Sequence, residues 1–324
     1  MTARLPLKSF LLGLSLVTLL APAVSAQDYP NRPIRFIVGF PPGGSVDVLA
    51  RAVANQATKT LGQPILVENR AGASTNAASD FVAKERPDGY TVLVASDSIA
   101  INASLFKNLS FNPVTSFAPV TLAITSPQIL VVCANFGAQT VAEYLTKVKA
   151  NPGGVNVGLT GRGTIGHLTS ELINQGGLQV SYVPYTGGAP AVRDLVGGHT
   201  DALYVTLPGV AGSVRGGNVI PVAVSSPKRS KAFPDVPTFA ETAAPELSID
   251  SWQGFLVPAG TPQPIIDKLN RELVAALQSE AVAKPLADVG FEIVASAPGA
   301  FADVIKADVQ RFGEIVRAAN INVE

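Results

Sequence analysis

The sequence predicts an α/β protein in two lobes, each a mostly parallel open sheet flanked by helices. Three observations carry that prediction. A short apolar strand, a glycine-rich turn and an amphipathic helix recur along the chain, which is the grammar of βα units. Charged residues make up only 15% of the 324, and mean hydropathy is +0.30, a composition that suits strands covered on both faces. Two long apolar stretches, Phe117–Cys133 and Val219–Val224, interrupt the βα grammar and mark where the chain passes between lobes.

The elements follow in order. Arg4 and Lys8 precede an apolar run from Phe10 to Leu20, and small residues lead to Val24-Ser25-Ala26. That is the three-part pattern of a signal peptide, and the run is shorter than the roughly 20 residues a membrane span needs. Residues 1–26 are therefore expected to be removed, leaving Gln27 first, with no Cys at the cleavage point to take a lipid anchor. Ile34–Val38 reads as a strand; Pro41-Pro42-Gly43-Gly44 breaks it, and Ser45 opens a helix with Val46, Leu49, Ala50 and Val53 on one face. Ile65–Val67 leads to a helix around Ala77–Lys84. Tyr90–Val94 leads to Ser96-Asp97-Ser98. Val155–Leu159 leads to a Gly/Thr turn and a helix His167–Asn174. Val180–Val183 leads to Thr186-Gly187-Gly188 and a helix Pro190–Val196. A long helix has Thr261 as N-cap and Pro262 as its first residue, with Ile265, Ile266, Leu269, Leu273 and Leu277 on one side. The last runs from about 300 to 320 with Phe301, Val304, Ile305, Val309, Phe312, Ile315 and Val316 inward. The lobes are expected to comprise residues 27–124 with 250–324, and 125–249.

Composition and motifs exclude several classes of function. With 24 basic and 24 acidic residues the net charge is zero, so neither a nucleic-acid groove nor a polybasic membrane patch is expected. Cys133 is the only cysteine, which rules out an intrachain disulfide; its apolar neighbours argue for a buried, inert thiol. No G-x-S-x-G, Walker A or H-E-x-x-H occurs. Ser225-Ser226-Pro227-Lys228 matches S-x-x-K but lacks its partner motifs, and Pro227 opposes a helical nucleophile turn. The two histidines, His167 and His199, have no further ligands at metal-binding spacing. No catalytic residue, metal or cofactor is expected.

The chemistry sits in the strand-to-helix turns, since open α/β sheets bind ligands outside the carboxyl ends of their strands. In Pro41–Ser45, glycine allows backbone N–H groups to approach a ligand, and the following helix supplies unpaired donors and partial positive charge. Such an anion site needs no Lys or Arg. Ser45 fits two roles there, helix cap or ligand contact. Gly161-Arg162-Gly163-Thr164-Ile165-Gly166 matches the dinucleotide fingerprint G-x-G-x-x-G, but the acid expected about 20 residues on is missing: after Glu171 the next carboxylate is Asp194. A second anion-facing turn is the better reading. His167 beside it either holds the loop or touches ligand, with the structural role favoured.

The same turns, in the same order, occur in a known family. The matching stretches include Tyr29-Pro-Asn-Arg-Pro-Ile34, Pro41-Pro-Gly-Gly-Ser-Val-Asp47, Val67-Glu-Asn-Arg-Ala-Gly72 and Pro87-Asp-Gly-Tyr90. They continue with Gly161–Leu168, Val183-Pro-Tyr-Thr-Gly-Gly-Ala-Pro190, Asp194–Gly198, Phe233–Thr238, Ser251-Trp-Gln-Gly254 and Val257–Pro262. Each is weak alone; the ordered set resembles the receptors of tripartite tricarboxylate transporters, also called Bug proteins, of the Gram-negative periplasm. The resemblance implies a type II-like periplasmic binding fold with its cleft between the lobes. It implies a monomeric receptor that grips a small carboxylate or amino acid by backbone groups, hydroxyls and waters, and hands it to membrane permease subunits. Carried over by position, it points to Phe40, Gly43, Gly44, Ser45 and Asp47 in the first turn and to Ser96 and Ser98 after the third strand. In the second lobe it points to Gly161, Gly163, Thr164, His167, Thr186 and Gly187. Departures from the family pattern fall in or near this set. Ala73–Ala78 replaces further glycines, Asp97 stands where a small neutral residue is commoner, Arg162 adds a cation, and Val205 stands where many relatives carry Asp. They bear on which ligand is bound. Two other functions compete: a sensor presenting ligand to a membrane signalling partner, and an exported α/β enzyme.

Overall fold

The computed structural model describes residues 29–175, 178–242, 250–318 and 320–321; the predicted signal peptide lies outside them. The chain runs β1 (Ile34–Val38), α1 (Ser45–Leu61), β2 (Ile65–Asn69), α2 (Asn76–Ala83), β3 (Thr91–Ser96), α3 (Ser98–Leu105) and β4 (Phe117–Ser126). It continues through β5 (Gln128–Cys133), α4 (Val141–Ala150), β6 (Asn156–Leu159), α5 (Ile165–Gln175), β7 (Ser181–Pro184), α6 (Gly188–Val196), β8 (Ala202–Thr206), α7 (Leu207–Arg215) and β9 (Val219–Val224). It closes with β10 (Ser251–Pro258), α8 (Gln263–Gln278), α9 (Glu280–Asp288), β11 (Glu292–Ile293) and α10 (Pro298–Ala318).

Two sheets form, in the orders β11-β4-β10-β3-β1-β2 and β7-β6-β8-β5-β9. The two-lobed α/β architecture is as expected, but both sheets are mixed rather than mostly parallel. β1 is parallel to β2 and β3, and β6 to β7 and β8, because a helix returns the chain to the same edge between them. β10 is antiparallel to β3 and β4, and β5 to β8 and β9. These antiparallel strands flank the crossings: β4 ends in one sheet at Ser126, and β5 starts in the other at Gln128 after Pro127 alone. A strand that enters a sheet from the other lobe has no helix to turn it round.

Alternation along the strands builds a core on each face. Phe36 and Val38 of β1 pack with Leu49 and Val53 of α1 and Leu269 and Leu273 of α8. Ile37 points the other way, to Val82 of α2, Ile99 of α3 and Phe301 and Ile305 of α10. In the second sheet Leu130 and Val132 meet Tyr144 and Val148 of α4, while Ile129 and Val131 meet Leu195 of α6 and Val210 of α7. A further apolar cluster joins the lobes themselves: Ala100, Ile101 and Leu105 of α3 and Phe312 and Val316 of α10 enclose Ile165 and Leu168 of α5.

The caps of two helices differ from expectation. α8 begins at Gln263 with Pro262 as its cap, and Thr261 instead donates its hydroxyl to the Pro258 carbonyl at 2.7 Å. α1 has Gly44 as N-cap, so Ser45 is its first helical residue and makes no capping bond. Cys133 is buried, and no described helix is long and apolar enough to cross a membrane.

Candidate ligand-binding site

Between the sheets lies a cavity of about 590 Å³, including the solvent at its mouth, with walls from both lobes. The sequence dictates its character through the helix starts. Gly44 and Ser45 open α1, and Asp97 and Ser98 open α3. Thr164 to Gly166 open α5, Gly188 opens α6, and Thr206 and Gly209 belong to the start of α7; all line the cavity. Five helix N-termini, two from one lobe and three from the other, thus border one space and lend it partial positive charge, although Asp97 N, Ser98 N and Leu207 N are already taken by Trp252 O, Ser96 Oγ and Pro127 O. Among the described residues no Lys, Arg or His lines it.

The hydroxyl of Ser45 is the hub of the polar contacts. It accepts from Thr206 Oγ1 of the second lobe at 2.9 Å and from Gln253 Nε2 at 3.0 Å. With both acceptances made, its own proton is left to give to a ligand. Ser98 Oγ and Gln253 Oε1 are buried and have no hydrogen-bond partner among the described residues. Asp97 is buried in the wall; its Oδ2 accepts from the Ser251 hydroxyl and from the Trp252 N–H at 3.1 Å. Burial pushes the Asp97 carboxyl up to about 7, the two hydrogen bonds oppose the shift, and the nearby Asp308 adds to it.

Of the residues singled out from sequence, the structure gathers Phe40, Gly44, Ser45, Ser96, Asp97, Ser98 and Thr164 around the cavity. Gly43, Asp47, Gly161, Arg162, Gly163, His167, Thr186 and Gly187 stand behind or beside its walls, and several of their roles are plain. Asp47 is buried and ties the first turn: it accepts from the Gly43 N–H at 3.0 Å, Arg51 Nε at 2.9 Å and Asn69 Nδ2 at 2.9 Å. Burial disfavours its charge, but these bonds outweigh it and hold the carboxyl below the usual range. His167 Nδ1 accepts from the Gly163 N–H at 3.3 Å, the loop-holding role favoured for it. Gly163 has φ +69, and a Cβ there would lie 1.8 Å from Asn102 Oδ1 of the first lobe. A Cβ on Gly187 would lie 2.7 Å from Pro41 Cδ. These two glycines let the lobes approach each other. Arg162 and Thr186 are exposed.

Sequence reasoning missed Gln128, Thr160, Gly188, Thr206, Ser251 and Gln253, all in the lining. Gln128 and Gln253 carried a usable signal: each is a buried amide inside an otherwise apolar strand, QILVVC and SWQGFLVP. Among the described residues no cluster of His, Cys, Asp or Glu could hold a metal ion.

Two α/β units that close on a shared polar cavity through crossings near its floor define the class of two-lobed binding proteins. Comparison with known proteins narrows the class. Residues 49–321 match the family model described as the tripartite tricarboxylate transporter family receptor. Protein BugT of Bordetella pertussis is 38% identical over 301 residues, covering 92% of each chain. A structure of an R. palustris protein with adipate superposes with a TM-score of 0.88 at 31% identity, covering 91% of this chain and 99% of that one. MatC from Rhodopseudomonas palustris with bound malate gives 0.85 at 30% identity, covering 89% and 100%. The chain belongs to the tripartite tricarboxylate transporter receptor family, a family of substrate-binding receptors rather than enzymes.

Proposed function

We propose that this protein is a periplasmic receptor that captures a small carboxylate between its lobes and delivers it to the membrane permease of a tripartite transporter. The observation that carries the reading is the convergence of five helix N-termini on a cavity that no basic side chain of the described residues lines. Such a site stabilises an anion by oriented N–H groups and hydroxyls, with Ser45, Ser98 and Thr164 as the hydroxyls at hand. The malate and adipate complexes of relatives support a carboxylate as the ligand. Calorimetry with succinate, malate, adipate and glutamate, each beside its amide, tests this. At least one acid should bind, and its amide should bind at least about tenfold more weakly; an amide that binds as tightly as its acid removes the anion site. Mass spectrometry of the protein from a periplasmic extract should find Gln27 first, and a chain retaining residues 1–26 in the cytosol would contradict export. Uptake of the bound acid by cells should be lost with the receptor and restored with it.

A further inference from the structure

The lobe-one wall of the cavity differs in chemistry from the helix starts around it. Gln253 of β10 stands opposite Ser96 of β3, Asp97 follows directly, and all three line the cavity. Asp97 spends Oδ2 on Ser251 and Trp252, while Oδ1 makes no hydrogen bond to another described residue. Gln253 gives its Nε2 to Ser45 and keeps Oε1 without a partner. Ser98 Oγ, 1% exposed, is also unpartnered and can accept or donate. A carboxylate satisfies the N–H donors of the helices but brings only acceptors. Set against Asp97 Oδ1 and Gln253 Oε1, a second carboxylate would bury acceptor against acceptor. An ammonium brings three donors to the same place.

On the reading that the cavity takes a carboxylate, we propose that Asp97, with Gln253 Oε1 beside it, makes the ligand an amino carboxylate, whose ammonium meets these acceptors while its carboxylate meets the helix N-termini. Matched pairs that differ only in the amino group test it: aspartate and succinate, glutamate and glutarate, alanine and propionate. Fluorescence of the chain's single tryptophan, Trp252, whose N–H bonds Asp97, reports binding. The amino member of at least one pair should bind about tenfold tighter or better. Asp97→Asn keeps the acceptor for Ser251 and Trp252 but loses the charge. It should bring that preference below about threefold.

A second measurement needs no variant. Titratable groups acting on Asp97 reduce to Asp308 on α10, with Arg311 3.8 Å from Asp308. Affinity for the amino member should therefore rise from about pH 6 to about pH 7.5 as Asp97 ionises, and a site in which protonated Asp97 donates to a second carboxylate would show the opposite slope. Deaminated members that bind equally or better in every pair, or an undiminished preference in a folded Asp97→Asn protein, overturn this proposal and leave the carboxylate reading standing. Failure of all six probes to bind the wild-type protein overturns both.

Discussion

At the residue scale, the first turn separates two glycines that sequence treats alike. Gly44 has a φ of −76, which any residue adopts. Gly43, at φ +83, is the one an L side chain strains, and its N–H is held by Asp47. Gly43→Ala should therefore cost about 1–2 kcal/mol of stability, seen as a lower melting temperature. Gly44→Ala should melt as wild type, since its Cβ would meet nothing nearer than the Pro41 carbonyl at 3.6 Å. Its methyl would instead stand in the cavity, and ligand affinity should fall by about tenfold or more. Wild-type affinity in a folded Gly44→Ala protein would move the site off this turn. Ser45→Ala removes the shared partner of Thr206 and Gln253, leaving a buried and a partly buried donor unpaired at a cost of about 1–3 kcal/mol. Thermal melting should show that loss in the ligand-free protein. The turns were legible because their glycines and hydroxyls are local signals. Thr206 and Ser251 were not, and Gln128 and Gln253 showed only as polar residues in apolar strands, because antiparallel pairing between distant segments brings all four to the cavity and no spacing along the chain encodes that pairing.

At the scale of elements, βα units were the most legible part of the fold. β1 spans the predicted Ile34–Val38, and every residue placed on the apolar side of α8 is buried. Strand direction was not legible: β10 follows a crossing, and its uniformly buried residues would suit a parallel strand equally. β10 also gathers acids that its sequence hides. Asp250 precedes it, Asp97 takes the Trp252 N–H, and Asp308 takes Trp252 Nε1 at 2.7 Å. Burial pushes Asp250 up to about 6 and Asp97 up to about 7, and raises Asp308 as well. A carboxyl raised on folding binds protons in the native state that the unfolded chain has released, so stability declines as pH rises from the unfolded value near 4 to the folded one. Asp47, held low, acts oppositely, but only below about pH 4, where it becomes protonated. The ligand-free protein should thus melt higher at about pH 5 than at about pH 8, and Asp250→Asn should flatten the slope between about pH 4 and 6. A melting temperature that rises steadily with pH across this range would show that these carboxyls are not buried as described.

At the scale of the whole molecule, the lobes are tied by slender crossings and held by contacts that opening must break. Gln128 and Ser225 meet at the crossings, Ser225 N donating to Gln128 O and Gln128 N to Ser225 Oγ, each at 2.8 Å, and Ser225 Oγ donates to Asp250. Rotation there is a hinge motion absorbed by a few residues. On the far side, Ile165 and Leu168 of α5 sit among α3 and α10 apolar side chains, with Leu168 fully buried. That contact favours closure without ligand, since opening exposes it at roughly 25 cal/mol per Å². Ligand closes the molecule further only by binding the closed form better than the open one. Leu168→Asn places an amide where no hydrogen-bonding partner awaits it in the closed state but water does in the open one, so it should shift the population toward open. Small-angle scattering should then give Leu168→Asn a larger radius of gyration than wild type without ligand, and a saturating acid should bring the two together. Affinity should fall by the fraction of closed form lost. Equal radii for variant and wild type, in proteins of equal helix content, would mean that α5 packs on α3 and α10 in both states and that the hinge lies elsewhere.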